Sequence, residues 1–319
     1  MSSATLFLTE KDKGLKKHMN INYTPNINTG ASQAKPSQAK PSNNVSFGHI
    51  IAGYADPTVR SLINNSIIHG DFASQQTVGK LFLKKIQKSV NRYVQDNDVY
   101  KSLRDYYTET VGSSVACLND DRKRVAARVD ALKTLIAGEF RPSTYSDIGC
   151  GNAKITEGVA KAFNIGKNDA NGLDVFLYPE NNLDVTTKIY DGTNLPLEKC
   201  SQDLMSMFTV FHHIQNPTNL LKNINEALSS EGKFIVREFN AKTPEEKRFN
   251  LIMDEMLYKV YDDYPEVPIN DKYVSKADLK SKIEKLGFKC EKIMDDTTSD
   301  TKVSKNPYSP FYAVFSKTD

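Results

Sequence analysis

Four short stretches carry residue types that could do chemistry together. In "YSDIGCGNAKIT", Tyr145–Thr156, Asp147 stands just before Gly149 and Gly151, where a strand-like run gives way to a helix. "GLDVF" holds Asp174 near its end, and "YDGTNLP" joins Asp191 to Gly192. His212 and His213 stand side by side in "FTVFHHI". A residue without a Cβ lets the backbone turn sharply and lets a ligand lie against it. The glycines therefore predict a ligand at the strand–helix junction, and the acids predict one with polar or cationic groups.

Three ligand chemistries use such a junction. A phosphate-cradling loop needs G-K-[ST] after its glycines, which this sequence lacks. A dinucleotide turn needs a third glycine, and Lys154 occupies that place. S-adenosylmethionine carries no phosphate and is a cation at sulfur and amine, so an aspartate beside the glycines suits it. The histidines invite a metal or general-base reading. Adjacent histidines do not easily converge on one ion, and no cysteine or acid lies beside them at ligand spacing, so no metal site is expected. Cys117, Cys150, Cys200 and Cys290 are far apart and form no CxxC pair, which argues against a zinc site or a disulfide framework.

The elements that would hold these residues follow from periodicity. After Pro142, short apolar runs alternate with helical patterns: "TYSD" and helix 154–163, "GLDVF", "TKIYD", "DLMSMFTVF" and helix 219–228, "KFIVREF" and helix 244–261. That alternation predicts an α/β fold around a mostly parallel sheet. "FKCEKIM" and "FYAVFSK" follow a last helix, 276–286, with no helix between them, so the final strand is expected to be antiparallel. Upstream the pattern is helical. Val78, Leu81, Phe82, Ile86, Val90 and Val94 are expected on one face, and Val125, Val129, Leu132 and Ile136 on another, the second helix ending at Gly138. Residues 1–47 repeat "SQAKP" in tandem amid Asn, Ser and Thr and are expected to be a disordered tail. The expected organisation is tail 1–47, helical region 48–140 and α/β domain 141–319.

"DIGCGNA" resembles the first motif of the class I S-adenosylmethionine-dependent methyltransferases, with Ala153 in place of the last glycine. The likeness continues downstream, and "SMFTVFHHIQNPTNLLKNINEALSSEGKFIVREF" is most similar to the type-11 subgroup. It implies a Rossmann-like, mostly parallel seven-stranded sheet with an antiparallel last strand. It also implies S-adenosylmethionine as cofactor, held by Asp147 at the methionine amine, Gly149, Cys150 and Gly151 at the turn, and Asp174 at the ribose. Asp191 and Gly192 would meet the adenine, with Phe208 at the end of the fourth strand. His212 and His213 would face the adenosine and methyl region, either packing there or transferring a proton. Relatives that methylate RNA 2′-hydroxyls carry an acid at the end of strand four, and those that methylate DNA amino groups carry [DNS]-P-P-[YF]; "MFTVFHH" has neither.

Composition narrows the acceptor less. The chain has 319 residues and a net charge of +3. Residues 1–140 hold 19 Lys/Arg and 12 Asp/Glu, or +7, leaving 42−19=23 basic and 39−12=27 acidic residues, or −4, in the rest. Solvated lysine-rich helix faces explain the asymmetry, and an anionic partner is the alternative. RNA or a nucleotide is the preferred acceptor, with a small molecule or a non-catalytic scaffold as alternatives. The helical region is a candidate surface for a protein partner. No apolar run approaches a membrane span or a signal-peptide core, which predicts a cytoplasmic protein.

Overall fold

A computed structural model describes residues 49–71, 76–111, 121–136, 138–176, 183–261, 272–296 and 308–318. The expected tail and Cys117 lie outside the described residues. The strands are β1 (Tyr145–Ile148), β2 (Ala170–Asp174), β3 (Thr186–Ile189), β4 (Gln202–Phe208), β5 (Leu228–Phe239), β6 (Phe288–Asp295) and β7 (Pro310–Lys317). They form one sheet in the order β3-β2-β1-β4-β5-β7-β6. The first five strands pair in parallel, while β7 runs antiparallel between β5 and β6. This is the Rossmann-like arrangement expected. Strand order reverses at β1 and β4, and open α/β sheets bind ligands beyond the carboxyl ends at such a switch.

The helices are α1 (His49–Ala55), α2 (Pro57–Ser66), α3 (Gln76–Arg92), α4 (Asp96–Tyr106), α5 (Asp121–Leu135), α6 (Lys154–Phe163), α7 (Pro217–Ala227), α8 (Pro244–Met256) and α9 (Lys276–Glu284). Leu132, Ile136, Val159 and Ala160 of the α5–α6 side pack on Tyr145, Leu204 and Ile235. Leu220, Ile224, Leu279 and Ile283 of α7 and α9 pack with Met205, Met207 and Phe234. With both faces covered, β1 is buried at every position and shows no alternation. Helices α5 and α6 approach closely because Gly158 has no side chain: a Cβ there would lie 2.2 Å from Val125 Cγ1. No helix among the described residues is long and apolar enough to cross a membrane.

Helices α1–α4 do not cover the sheet. They form a core of their own with α8, in which Ile50, Val59, Phe82 and Ile86 meet Phe249, Ile252 and Met256. A buried polar tie fixes the join. Glu255 of α8 accepts from Tyr100 Oη at 2.6 Å and lies 3.1 Å from His49 Nδ1. Burial would lift the Glu255 carboxyl, but the bonds from His49 and Tyr100 outweigh it and hold it low. Two sequence expectations are corrected here. Leu81 is exposed, and Val94 lies beyond the end of α3; Gly79 and Ser89 take the buried positions instead, with Ser89 Oγ 3.2 Å from Ser102 Oγ. Within β5, residues 229–232 form a bulge between the pairs Gln202–Leu228 and Leu204–Lys233. A Cβ on Gly232 would meet Leu228 Cγ at 2.7 Å, which is why that bulge holds a glycine.

Candidate active site

The glycine turn leaves β1 with Gly149 at φ +72° and Gly151 at φ +55°. Gly149 and Cys150 both donate N–H bonds to Leu173 O, at 2.7 and 3.1 Å, stitching the turn to β2. Val210 closes over Gly149 from beyond β4, so a Cβ would fall 2.3 Å from Val210 Cγ2. Ala153, just before α6, sits at φ +55°. That left-handed backbone explains why a glycine belongs to the motif at this point, and alanine tolerates it at a cost of about 1 kcal/mol.

The three acids behave differently. Asp174 is half-buried at the tip of β2, and its Oδ2 accepts from Gly151 N–H at 2.7 Å. Its Oδ1 accepts from Val175 and Phe176 N–H. A carboxylate offers about four acceptor positions, so among the described residues one is left, on Oδ2. Asp191 folds a tight turn after β3: Oδ1 accepts from Thr193 and Asn194 N–H and Oδ2 from Asn194 Nδ2, again leaving one position on Oδ2. The Asn194 and Thr193 bonds hold the Asp191 carboxyl low, whereas burial raises that of Asp174. Asp147 is different in kind. It is 2% exposed and set back behind the turn, its oxygens taken by Ser206 Oγ at 2.6 Å and Thr156 Oγ1 at 2.8 Å. Burial pushes it up to about 6 against the lowering effect of both hydroxyls.

A cavity of about 490 Å³ opens beyond β1–β4. Gly149, Gly151, Asp174, Asp191, Gly192 and Phe208 all line it, as does His213. Its size lies within the roughly 300–1,000 Å³ of small-molecule sites. Three expected residues, Asp147, Cys150 and His212, are not on its walls. Asp147 lies behind the glycines, and Cys150 turns into a separate crevice of about 10 Å³, its sulfur lying against Gly172. Sequence reasoning missed Tyr190, Val210 and Gln215 on the wall; Tyr190 was legible only as the neighbour of Asp191. Tyr258, from a widened helical turn that extends α8 through Leu257–Tyr261, completes one side.

The histidines part company. His212 is buried, with Nδ1 2.8 Å from Glu238 Oε2 and Nε2 3.2 Å from Asp254 Oδ2. Its ring stacks on Tyr273, whose hydroxyl donates to Asp254. Burial would lower His212, but Glu238 and Asp254 outweigh it and lift it to about 10. Its ring nitrogens are turned to Glu238 and Asp254, and it is not among the residues lining the cavity. His213 faces the cavity and is lowered to about 4, first by burial and then by its neighbour's charge, so it is neutral at pH 7. Asp254, remote in sequence, supplies the acid that local spacing did not reveal. The polar groups at the carboxyl end of β5 are also engaged: Arg237 binds Asp296 and Thr209, Glu238 holds His212, and Asn240, just past the strand, accepts from Lys276 N–H.

A family model described as a methyltransferase domain matches residues 118–293, more than half of the chain. The protein belongs to this methyltransferase family. The match begins upstream of α5, so the helix that covers α6 is part of it. As a methyltransferase of this kind the protein uses S-adenosylmethionine as methyl donor. Among curated proteins none matches. Similar solved structures include a Haloferax volcanii protein in complex with the Trm112 methyltransferase activator, at 15% identity over 63% of this chain and 95% of that one, with a TM-score of 0.49. Another is the Burkholderia thailandensis 1,6-didemethyltoxoflavin-N1-methyltransferase, at 13% identity over 69% and 89%, TM-score 0.46. A third is an S-adenosylmethionine-dependent methyltransferase from Aquifex aeolicus, at 14% identity over 62% and 93%, TM-score 0.44.

Proposed function

We propose that the methyltransferase binds S-adenosylmethionine across the carboxyl ends of β1–β4 and methylates a small-molecule acceptor that enters beside His213 and Tyr258. The observation that carries this is the convergence of Asp174, Asp191, Gly149, Gly151, Gly192 and Phe208 on one cavity. Those residues fit the donor. The free acceptor position on Asp174 suits a ribose hydroxyl and that on Asp191 an adenine amino group, while Gly192, at φ +83°, lets a ring lie close. Val210 and Phe208 supply apolar walls. When bound, the donor supplies a methyl group on a sulfonium that leaves as a neutral thioether, so the protein's task is alignment and exclusion of water. A base matters only for an acceptor that must lose a proton, and neutral His213 is the imidazole within reach of one.

The preference for a small molecule departs from the charge-based expectation of RNA. The described cavity lining contains no lysine or arginine to neutralise phosphate. The type-11 likeness of the β4–β5 segment points the same way. RNA is the second reading, favoured by Lys80, Lys84 and Lys88, exposed on α3. In this organisation 141–319 is the catalytic part, α5 covers its helix α6, and helices α1–α4 buttress α8. The test is calorimetric titration with S-adenosylmethionine followed by radiolabelled transfer to metabolite, RNA and protein pools. Label in the metabolite pool is expected. Label in RNA, with affinity falling steeply with salt, would move the assignment to the second reading, and no donor binding would end both.

Asp147 is a positioning residue here, tying α6 through Thr156 to β4 through Ser206, and it places a charge behind the turn. Its folded pKa of about 6 lies above the ordinary 3.8, so the site gains a negative charge as pH rises through 6. Affinity for the cationic donor is expected to rise about fivefold from pH 5 to pH 7, the part of a one-unit pKa displacement on binding that falls in that window. In Asp147→Asn the calorimetric profile should be flat. An unchanged pH slope in the variant would show that another group is responsible.

A further inference from the structure

Beside the cavity, the structure gathers two imidazoles and a carboxylate whose common purpose the methyl-transfer reading does not supply. His212, His213 and Asp254 each present one ligand atom, and all lie within 4.8 Å of one another. His212 Nε2 is 3.2 Å and His213 Nε2 is 3.9 Å from Asp254 Oδ2. Ligands held 2.0–2.2 Å from a tetrahedral ion stand about 3.3 Å apart, so these spacings bracket what one ion needs. His212 Nε2 lies close to the carboxylate but is poorly aligned for a hydrogen bond with it. Its other nitrogen, Nδ1, is held by Glu238 at 2.8 Å, which is how an outer carboxylate orients a metal-binding imidazole. Tyr273 donates to Asp254 and does the same for that side.

We propose that His212, His213 and Asp254 form a binding site for a divalent transition metal of the zinc type, oriented by Glu238 and Tyr273. Two imidazole nitrogens and one carboxylate oxygen suit zinc and similar borderline ions better than magnesium or calcium, which prefer all-oxygen sets. Glu238 and Asp254 bring two buried negative charges to the pocket, and a divalent ion balances both. The competing occupant is a proton on His212. His213 and Tyr258 border the cavity, with Tyr258 Oη 3.4 Å from His213 Nε2, so an ion held by His213 would lie beside the acceptor end of it. An ion bound there would supply Lewis-acid chemistry, lowering the pKa of an acceptor hydroxyl so that its proton is lost more readily to solvent. That service rests on the proposed methyl transfer; the binding of the ion does not.

The test uses the full chain, stripped with a chelator, and no S-adenosylmethionine. Titration with Zn(II) by calorimetry and with Co(II) by visible absorbance is expected to give one equivalent and the intense bands of a four- or five-coordinate cobalt site. His213→Ala, which alters a cavity-facing side chain, should weaken Zn(II) binding by about a hundredfold or more while leaving the circular dichroism unchanged. Glu238→Gln should weaken it by about 10–100-fold. Asp254→Asn is the third variant, with His213→Ala carrying the test if it fails to fold. Absence of a stoichiometric site, or equal affinity in wild type and His213→Ala, overturns the proposal. Donor binding measured separately on the same stripped protein keeps this outcome distinct from failure of the methyltransferase assignment.

Discussion

Gly149→Ala is expected to lower stability by about 3 kcal/mol and to remove measurable S-adenosylmethionine binding. Two independent costs lead there. At φ +72° any residue with a Cβ occupies the left-handed region, worth roughly 1–2 kcal/mol. The new Cβ would also fall 2.3 and 2.7 Å from the two methyls of Val210 and 3.0 Å from its Cβ. Valine is short and stiff, so the loop past β4 has to move as a whole; overpacking of this kind costs about 1–3 kcal/mol. That movement closes the floor of the cavity, since Gly149 and Val210 both line it. The double variant Gly149→Ala, Val210→Ala separates the terms. It should recover the steric part and leave the backbone part. Denaturant melts and calorimetry read both, and a single variant within 1 kcal/mol of wild type that still binds the donor would show that the turn is not built as described.

The second large effect is expected from Asp174→Ala, with a loss of about 50–100-fold in donor affinity and about 1 kcal/mol in stability. The carboxylate acts in two ways. It accepts the N–H groups of Gly151, Val175 and Phe176, so it holds the glycine turn and the β2 exit against each other. It also keeps one acceptor position facing the cavity. Losing a charged hydrogen bond to a ligand costs about 1.5–3 kcal/mol, and relaxation of the turn adds to that. Asp174→Asn is expected to be nearly as harmful, because an amide that keeps the oxygen toward Val175 turns its N–H₂ on the Gly151 N–H. Full affinity in Asp174→Asn would mean that this acid serves the fold and not the ligand.

Much of this site was legible before any coordinates. Glycines at a strand–helix junction report a local backbone need, and Gly149, Gly151 and Gly192 all have positive φ. Asp174 and Asp191 were legible because a strand's end is where its side chains leave the sheet, and the period-two and period-3.6 patterns mark those ends. The same local logic found the parallel β1–β5 run and the antiparallel β7. It failed where apolar residues fill a face without deciding which face is inside, as with Leu81 and Val94.

What only the tertiary structure decided is everything set by contacts between residues far apart in the chain. The acid before the glycines reads like a ligand group, yet Ser206 from β4 takes one of its oxygens and draws Asp147 behind the turn. Two adjacent histidines look equivalent in sequence. One faces Glu238 and Asp254 in the core and is held charged, while the other borders the cavity and is neutral. Helices α1–α4 gave no sign of choosing α8 over the sheet, and through α8 they set where Tyr258 stands. Conformational demands belong to single residues and can be read one at a time. Solvation, charge balance and pairing belong to the neighbours that folding brings, and no spacing along the chain encodes them.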